Sequence, residues 1–390
     1  MLYVIAGIVF LDMFAQFPVM SPFAQSLGAS SVMIGIVMGS YSFTNLFGNI
    51  MAGKWIDRHG ARNILVIGMI VTSIIFMCYT FVHTPAQLVL VRLAHGLSSG
   101  LLAPGIFTLL ANIRRSKQRS FGHGKNMALS GAAIGITAVV GPAFSGVMMG
   151  IFHIQAVFVS VSFILLLGGL YIGVITRHVD VEKKSETGAK TESTITRLLQ
   201  VINRRTIQSY IGAFSLMVVM GVLTYMLPLK VLQLSFADMN TGLLLSTFGV
   251  VAVLVFLLPT NRLFDRLNLD LSMLLGFSLL AVSIWLLSVC SGIVWMYISM
   301  SIYGLGFAVI FPSISRNLIE HVSDDYRGQA FGIFYGVFSV GVVVGSVVIG
   351  LIASHADDGF RFAAMFLTIV APTIFIMGKR DVLRIRFVNR

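Results

Sequence analysis

Long apolar runs separated by short polar breaks make up this chain, and the runs are continuous rather than alternating with the two-residue period of a half-buried strand. About 20 apolar residues carry a helix across the hydrocarbon of a bilayer. Twelve segments meet that length, near 2–22, 31–52, 64–82, 86–112, 126–150, 154–176, 207–229, 239–260, 271–290, 292–319, 328–353 and 360–378. The same continuity excludes a barrel, whose membrane strands alternate apolar and polar faces. Few polar residues interrupt the runs. Asp12 and Gln16 lie in the first, Tyr41, Asn45 and Asn49 in the second, and Arg92 and His95 in the fourth.

The pattern occurs twice. A shift of 208 positions brings Asp57-Arg58 onto Asp265-Arg266 (265 − 57 = 208), Gly96 onto Gly304, Pro104 onto Pro312, Arg119 onto Arg327 and Gly124 onto Gly332. Charges and helix breakers are the residues that an apolar chain matches least easily by accident. The expected fold class is an all-α membrane protein with twelve transmembrane helices in two pseudo-symmetric six-helix bundles. Residues 1–176 form the N-terminal bundle, 177–206 a cytosolic linker, and 207–390 the C-terminal bundle with a short basic cytosolic tail. Two facing halves are how secondary transporters build alternating access, with the ligand held between them near the midplane.

Composition sharpens this reading. Apolar residues make up 57% of the chain and charged residues 11%, where soluble domains carry roughly 25% charged. The net charge of +12 invites nucleic acid as a partner, but its distribution excludes that. Of the 27 Lys and Arg, all except Arg92, Lys230 and Arg361 fall in the linker, the tail or the alternate loops that share one side. By the positive-inside rule both termini are then cytoplasmic, in a cell membrane of bacterial type. The first segment has no basic leader and an Asp at its centre, so it is expected to stay in the membrane rather than be cleaved. Cys78 and Cys290 lie in apolar segments of different halves and read as small hydrophobes without a disulfide. The linker is polar, lacks aromatics over 181–193, and reads as a flexible tether.

Three places carry mechanism. Gly53-Lys54-Trp55-Ile56-Asp57-Arg58-His59-Gly60-Ala61-Arg62 joins the second and third segments. Gly53 permits close helix approach, Gly60 allows a tight turn, and Asp57 suits the positive N-terminal end of a helix, the eleventh being the obvious partner. Arg58 and Arg62 suit carboxylates or lipid phosphate. In the fourth segment Arg92 and His95 are three apart and share a face. An Arg well inside a membrane is costly unless paired or hydrated, so Arg92 either points inward or snorkels to the outer interface. The fifth segment carries Gly131, Gly135, Gly141-Pro142 and Gly146. That stripe lets it touch a neighbour from the other half, and Pro142 bends the helix.

In all three places the chain resembles the major facilitator superfamily. The first loop looks like that superfamily's cytoplasmic loop between helices two and three. Arg92 followed by Gly96 is similar to its fourth-helix motif, and Gly141-Pro142 in its setting to the signature of its proton-coupled exporters. The echo at Asp265-Arg266 has lost its glycines. The resemblance implies gating at Gly53, Asp57, Arg58, Gly60, Arg62, Arg119, Asp265, Arg266 and Arg327. It also implies a cavity between the halves, for which Gln16, Tyr41, Asn45, Tyr225, Phe248, Tyr303, Phe311 and Tyr335 are the candidates.

Asp12 is the one acid deep in any segment. A lone buried carboxylate is pushed toward its neutral form by desolvation and drawn back by a nearby cation. Asp12, with Arg92 and His95, is therefore the expected proton-coupling group; the other reading is a structural tie between the first helix and a neighbour. One acid in a cavity of aromatic and Met side chains suits amphipathic cations or neutral molecules better than sugars. The expected function is secondary active transport, a proton-coupled antiport that exports small amphipathic compounds. A dedicated exporter of one metabolite, such as a metallophore, sugar or lipid precursor, is the alternative. A membrane enzyme or a sensor would need intramembrane catalytic dyads or a soluble domain. No phosphate-binding glycine loop points to ATP. No cofactor or metal is expected, the proton gradient being the energy source. The expected partners are a small-molecule substrate, protons and the lipid bilayer, and a monomer suffices.

Overall fold

The computed structural model describes residues 2–116, 123–175, 201–257, 268–323 and 326–388. Among these residues every regular element is helical, with no strand. Lipid cannot hydrogen-bond a backbone, so each apolar segment must satisfy its amides internally. Nine helices among the described residues are long and apolar enough to cross a membrane, or ten if a bent pair at the start is one span. The twelve expected are thus not all spans by that measure. The shortfall lies in the second segment, diluted by Ser40, Tyr41, Thr44 and Asn45, and in the fifth, where the apolar stretch is the shorter Gly135–Ile151.

The first segment is two helices, α1 (Leu2–Ala15) and α2 (Met20–Ser26), bent by 41°. Pro18 causes the break, since its ring lacks an N–H and clashes with the carbonyl four residues back. Phe17 and Val19 donate instead to the Phe14 and Gln16 carbonyls at 3.3 and 3.1 Å. Helix α3 (Ser31–His59) starts at Ser30, whose Oγ accepts the Met33 amide, and ends at Gly60 with φ of 82°. That left-handed φ is why a glycine stands there. After α4 (Ala61–Cys78) comes a single 3₁₀ turn, Tyr79–Phe81. Helix α5 (Pro85–Ser99) opens with a reciprocal Thr84–Gln87 capping box and Pro85 in its first turn. Helices α6 (Leu102–Ser116), α7 (His123–Ile151), α8 (Ile154–Ile175), α9 (Arg204–Gln233) and α10 (Met239–Leu257) follow. The last four are α11 (Leu269–Val289), α12 (Ile293–Glu320), α13 (Arg327–Ile352) and α14 (Ala356–Val388).

The chain divides into two compact units, Met1–Gly188 with Leu227–Gly249, and Ala189–Met226 with Val250–Arg390. Residues 227–249, given to the C-terminal bundle by the sequence pattern, therefore pack with the first unit. In that unit α1 packs on α7, α3 on α5 and α4 on α8. In the second unit α11 packs against both α12 and α14. Large apolar side chains stand exposed in rows on α4 (Ile67, Val71, Ile74), α8 (Val159, Phe163, Leu167), α11 (Val282, Trp285, Val289) and α14 (Phe362, Met365, Ile369). Soluble proteins rarely expose contiguous apolar surface on this scale, so these rows are surfaces for acyl chains. Lys230, placed by the hydropathy pattern in a loop, is instead inside the last turn of α9 and buried. Cys78 and Cys290 are both free thiols.

Candidate functional site

The first unit holds a buried polar cluster around Asp12, which is 0% exposed. Its Oδ1 meets His95 Nε2 at 2.7 Å and accepts from Gln16 Nε2 at 3.1 Å. Its Oδ2 accepts from the Ser99 hydroxyl, which leaves the Tyr41 hydroxyl to donate to Ser99 Oγ at 2.8 Å. On the far side of the imidazole, His95 Nδ1 meets the Tyr79 hydroxyl at 2.9 Å. The cluster joins α1, α3, α5 and the 3₁₀ turn after α4. Burying an ionisable group is tolerable when each lone pair finds a donor, and here both carboxylate oxygens do.

Arg92 completes the cluster from one turn earlier on α5. It is buried, not snorkelled to an interface. Its Nη1 donates to Gln16 Oε1, its Nε to the Val37 carbonyl at 3.1 Å, and its guanidinium lies 4.8 Å from the centre of the Tyr41 ring. Gln16, proposed from sequence as cavity lining, instead bridges Arg92 to Asp12. The Pro18 break makes this possible, because it ends α1 at Ala15 and frees Gln16 to fold its amide back onto the Asp12 carbonyl at 2.6 Å. Tyr79 and Ser99 were not legible as members. Each is one hydroxyl among many, and their separations from His95 and Asp12, 16 and 87 residues, carry no local periodic signal.

Glycines set the distance at which α5 meets α3. A Cβ added at Gly96 would lie 2.2 Å from the Tyr41 carbonyl oxygen, and one at Gly48 2.3 Å from that of Leu97. The close crossing carries His95 and Ser99 to Asp12 and Tyr41. Asn45 donates to the Gly96 carbonyl at 3.4 Å, and Asn49 to Asn45 Oδ1 at 2.8 Å.

The internal repeat places a second pair at the matching positions, since 12 + 208 = 220 and 95 + 208 = 303. In the second unit Tyr303 Oη does lie against Met220 Sδ, at 3.8 Å. The contact is retained and the titratable pair is not: a thioether and a phenol stand where the first unit has a carboxylate and an imidazole.

Helix α7 meets α1 and α10 through small residues. A Cβ at Gly141 would lie 2.7 Å from that of Phe14, and one at Gly146 2.8 Å from Gly242 Cα. Near Pro142, Ser246 of α10 donates to the Val139 carbonyl at 2.6 Å. Gly131 and Gly135 lie on the same helix.

At the loop end of the first unit, Asp57, Arg58 and His59 are exposed in the last turn of α3. Among the described residues no atom lies within 4 Å of a Cβ built at Gly53. Arg62 donates to the Gly173 carbonyl near the end of α8, where helix carbonyls lack internal partners. Trp55, His59, Arg62 and Ile67 border a groove of about 460 Å³ there, which none of Asp12's partners lines. Arg327 is the exposed first residue of α13. Arg119, Asp265 and Arg266 lie outside the described residues.

Of the remaining cavity candidates, Tyr225, Phe248 and Tyr303 are buried and Tyr335 is 56% exposed. Phe311 is half-buried, against Phe307 and Phe338 at 5.7 and 6.2 Å. One further polar cluster escaped the sequence reading. In the second unit Asp270 is buried and accepts from Arg205 Nη1 at 2.7 Å and Gln208 Nε2 at 2.8 Å, while Arg205 Nη2 donates to the Gly378 carbonyl at 3.1 Å. Asp270 sits in the first turn of α11, where a short-range reading gives an ordinary N-terminal acid.

The comparisons with known proteins agree with this architecture. The Major Facilitator Superfamily profile matches residues 2–254 and 210–380. The quinolone resistance protein NorA of Staphylococcus aureus is 22% identical over 97% of this chain and 96% of its own. Multidrug resistance protein 2 of Bacillus subtilis is also 22% identical, over 95% and 92%. An uncharacterised MFS-type transporter of Methanocaldococcus jannaschii is 22% identical over 93% of each chain. Among solved structures, a bacterial homologue of the human lysosomal transporter Spinster superposes with a TM-score of 0.81 at 13% identity, covering 97% of this chain and 95% of that one. The nucleoside transporter NupG superposes with 0.78 at 18%, covering 97% and 98%. With the profile spanning the chain and the fold matched end to end, the protein is a multi-pass membrane transporter, not an enzyme, of the Major Facilitator Superfamily.

Proposed function

We propose that this transporter is a proton-coupled antiporter that exports small amphipathic compounds from the cytoplasm, with Asp12 as the group that takes and releases the proton. The observation that carries the reading is the Asp12–His95 contact, 2.7 Å and fully buried, in a protein of this superfamily. A carboxylate and an imidazole held together in a dry helix bundle are expensive to keep without a use, and intramembrane ionisable groups mark proton and substrate paths. The resistance proteins named above, 22% identical over nearly the whole chain, support efflux of drug-like molecules. The basic loops and tail support a cytoplasmic position for both termini in a cell membrane. A monomer is sufficient, and the driving force is the proton gradient alone, about 1.4 kcal/mol per pH unit plus about 2.3 kcal/mol per charge per 100 mV.

The chemistry follows from the partners. With the pair singly protonated, His95 Nε2–H donates to the Asp12 carboxylate. Arrival of a second proton takes the Asp12–His95 pair from a net charge of −1 to neutral, and Arg92, held through Gln16 rather than by a direct ion pair, senses that change across one amide. Coupling then requires that substrate and second proton favour opposite accessible states. In proteoliposomes carrying a pH gradient, a panel of amphipathic compounds should include some that trigger proton movement, and Asp12→Asn should abolish it while retaining substrate binding. Equal substrate-driven proton flux in Asp12→Asn and the parent protein would remove Asp12 from this role.

A further inference from the structure

Resting on that reading of Asp12, we infer that the transported proton is held jointly by Asp12 and His95, and that Tyr79 is the positioning residue that lets the pair exist in both protonation states. His95 Nε2 and Asp12 Oδ1 stand 2.7 Å apart. Two bare acceptors cannot sit that close, so one proton always lies between them. With one proton in the pair, Nε2 carries it, Nδ1 is bare, and the Tyr79 hydroxyl at 2.9 Å donates to Nδ1. When a second proton arrives, two arrangements are open: imidazolium facing carboxylate, or neutral imidazole accepting from a protonated Asp12. In both, Nδ1 carries a hydrogen. The loading proton therefore always appears on the Tyr79 side of the ring, and Tyr79 must change from donor to acceptor.

A phenol is suited to this because its single O–H rotates and its oxygen accepts. The ring is held for the task. Tyr79 is buried, stacked on Phe158 at 4.9 Å, and sits in the 3₁₀ turn where α4 stops. Phe76 packs edge-on against the imidazole at 4.6 Å, and Tyr41 at 5.1 Å, so the ring cannot flip its nitrogens easily. The charged and titratable groups facing the imidazole are Asp12 from α1, Tyr41 from α3, Tyr79 after α4 and Arg92 on α5 itself; α8 presents Phe158. At the matching position of the repeat, Tyr79 is replaced by Leu287 (79 + 208 = 287), which has no hydroxyl, and the matching contact is a Tyr303 hydroxyl donating to the Met220 thioether.

The test pairs one variant with one spectroscopic measurement. Tyr79→Phe keeps the ring and removes the hydroxyl. It leaves a buried N–H unsatisfied in the doubly protonated state and a bare nitrogen in the other, and the charged donor loses more. The pH midpoint of substrate-driven proton movement should shift to the acid side by about one unit, a roughly tenfold weaker hold on the proton. Separately, ¹⁵N-histidine spectra of the parent protein, with His95 assigned by His95→Gln, should show Nδ1 becoming protonated over the pH range in which the protein takes up its proton. That measurement stands even if Tyr79→Phe fails to fold. An Nδ1 signal that does not titrate, or an unmoved midpoint in a folded Tyr79→Phe, overturns the inference. Asp12→Asn separates the two levels: proton flux surviving in it removes Asp12 from the proton-coupling role on which this inference rests, whereas flux lost there beside a silent His95 defeats only the shared proton.

Discussion

At the scale of single residues, the informative side chains are polar ones that a lipid-facing chain would otherwise exclude. Asp12 and Arg92 announce themselves by type, and a sequence reading can find them without knowing what they touch. Their partners are another matter. Asp270 looks like a routine first-turn acid, yet it is buried beneath Gly378 and held by Arg205 and Gln208. Removing the carboxylate leaves Arg205, part-buried and still bonded to the Gly378 carbonyl and Gln208, short of its charged partner, and leaves a Gln208 donor with one acceptor fewer, which costs about 1–3 kcal/mol. Asp270→Ala should therefore lower the thermal unfolding midpoint in detergent by a few degrees, and Arg205→Met with Asp270→Leu should recover most of it. A single variant as stable as the parent would show that water reaches the pair.

Among the elements, breaks matter more than helices. Pro18 splits the first span so that Gln16 can serve Asp12 and Arg92 at once. Pro142 stands inside α7 between Gly141 and Gly146, and those two glycines seat α7 against α1 and α10. The sequence pointed to that stripe and to a partner beyond the linker, and the partner surface is Met239 and Gly242 on α10. A Leu side chain at 146 has no room against backbone 2.8 Å away. Overpacking of this kind costs about 1–3 kcal/mol. Gly146→Leu should insert and fold but lose most of its transport rate, measured in the same proteoliposomes. Parent-like export would mean that α7 and α10 separate freely during the cycle.

On the scale of the whole molecule, duplication has produced two sequence repeats whose matching contacts have diverged in chemistry. The first keeps Asp12 with His95, and the second keeps Met220 with Tyr303. The loop at Asp57 is equally one-sided, because its echo lacks the glycines. Asp57 lies in the last turn of α3, at the negative end of that helix's dipole, so α3 gains nothing from it. A use outside its own helix is the remaining reason for an acid there. Asp57→Asn should lower turnover a few-fold, the scale of about 1 kcal/mol for a helix-end charge, with substrate affinity little changed. Normal transport rates would reduce Asp57 to a surface charge.

The amino-acid sequence alone determined the membrane class, the helical fold, the duplication, the family resemblance and the ionisable residue types that lie inside the membrane segments. Those properties are local or periodic: hydropathy over a span, a fixed shift, an acid where lipid forbids one. Only the tertiary structure decided that His95 rather than Arg92 meets the Asp12 carboxylate, that Tyr79 and Ser99 complete the cluster, and that no described atom crowds Gly53 while Gly96 brings two helices together. Those outcomes depend on the rotation and crossing of helices far apart in the chain. A helix presents several faces of nearly equal hydropathy to lipid or protein, and contacts across tens of residues are what choose among them.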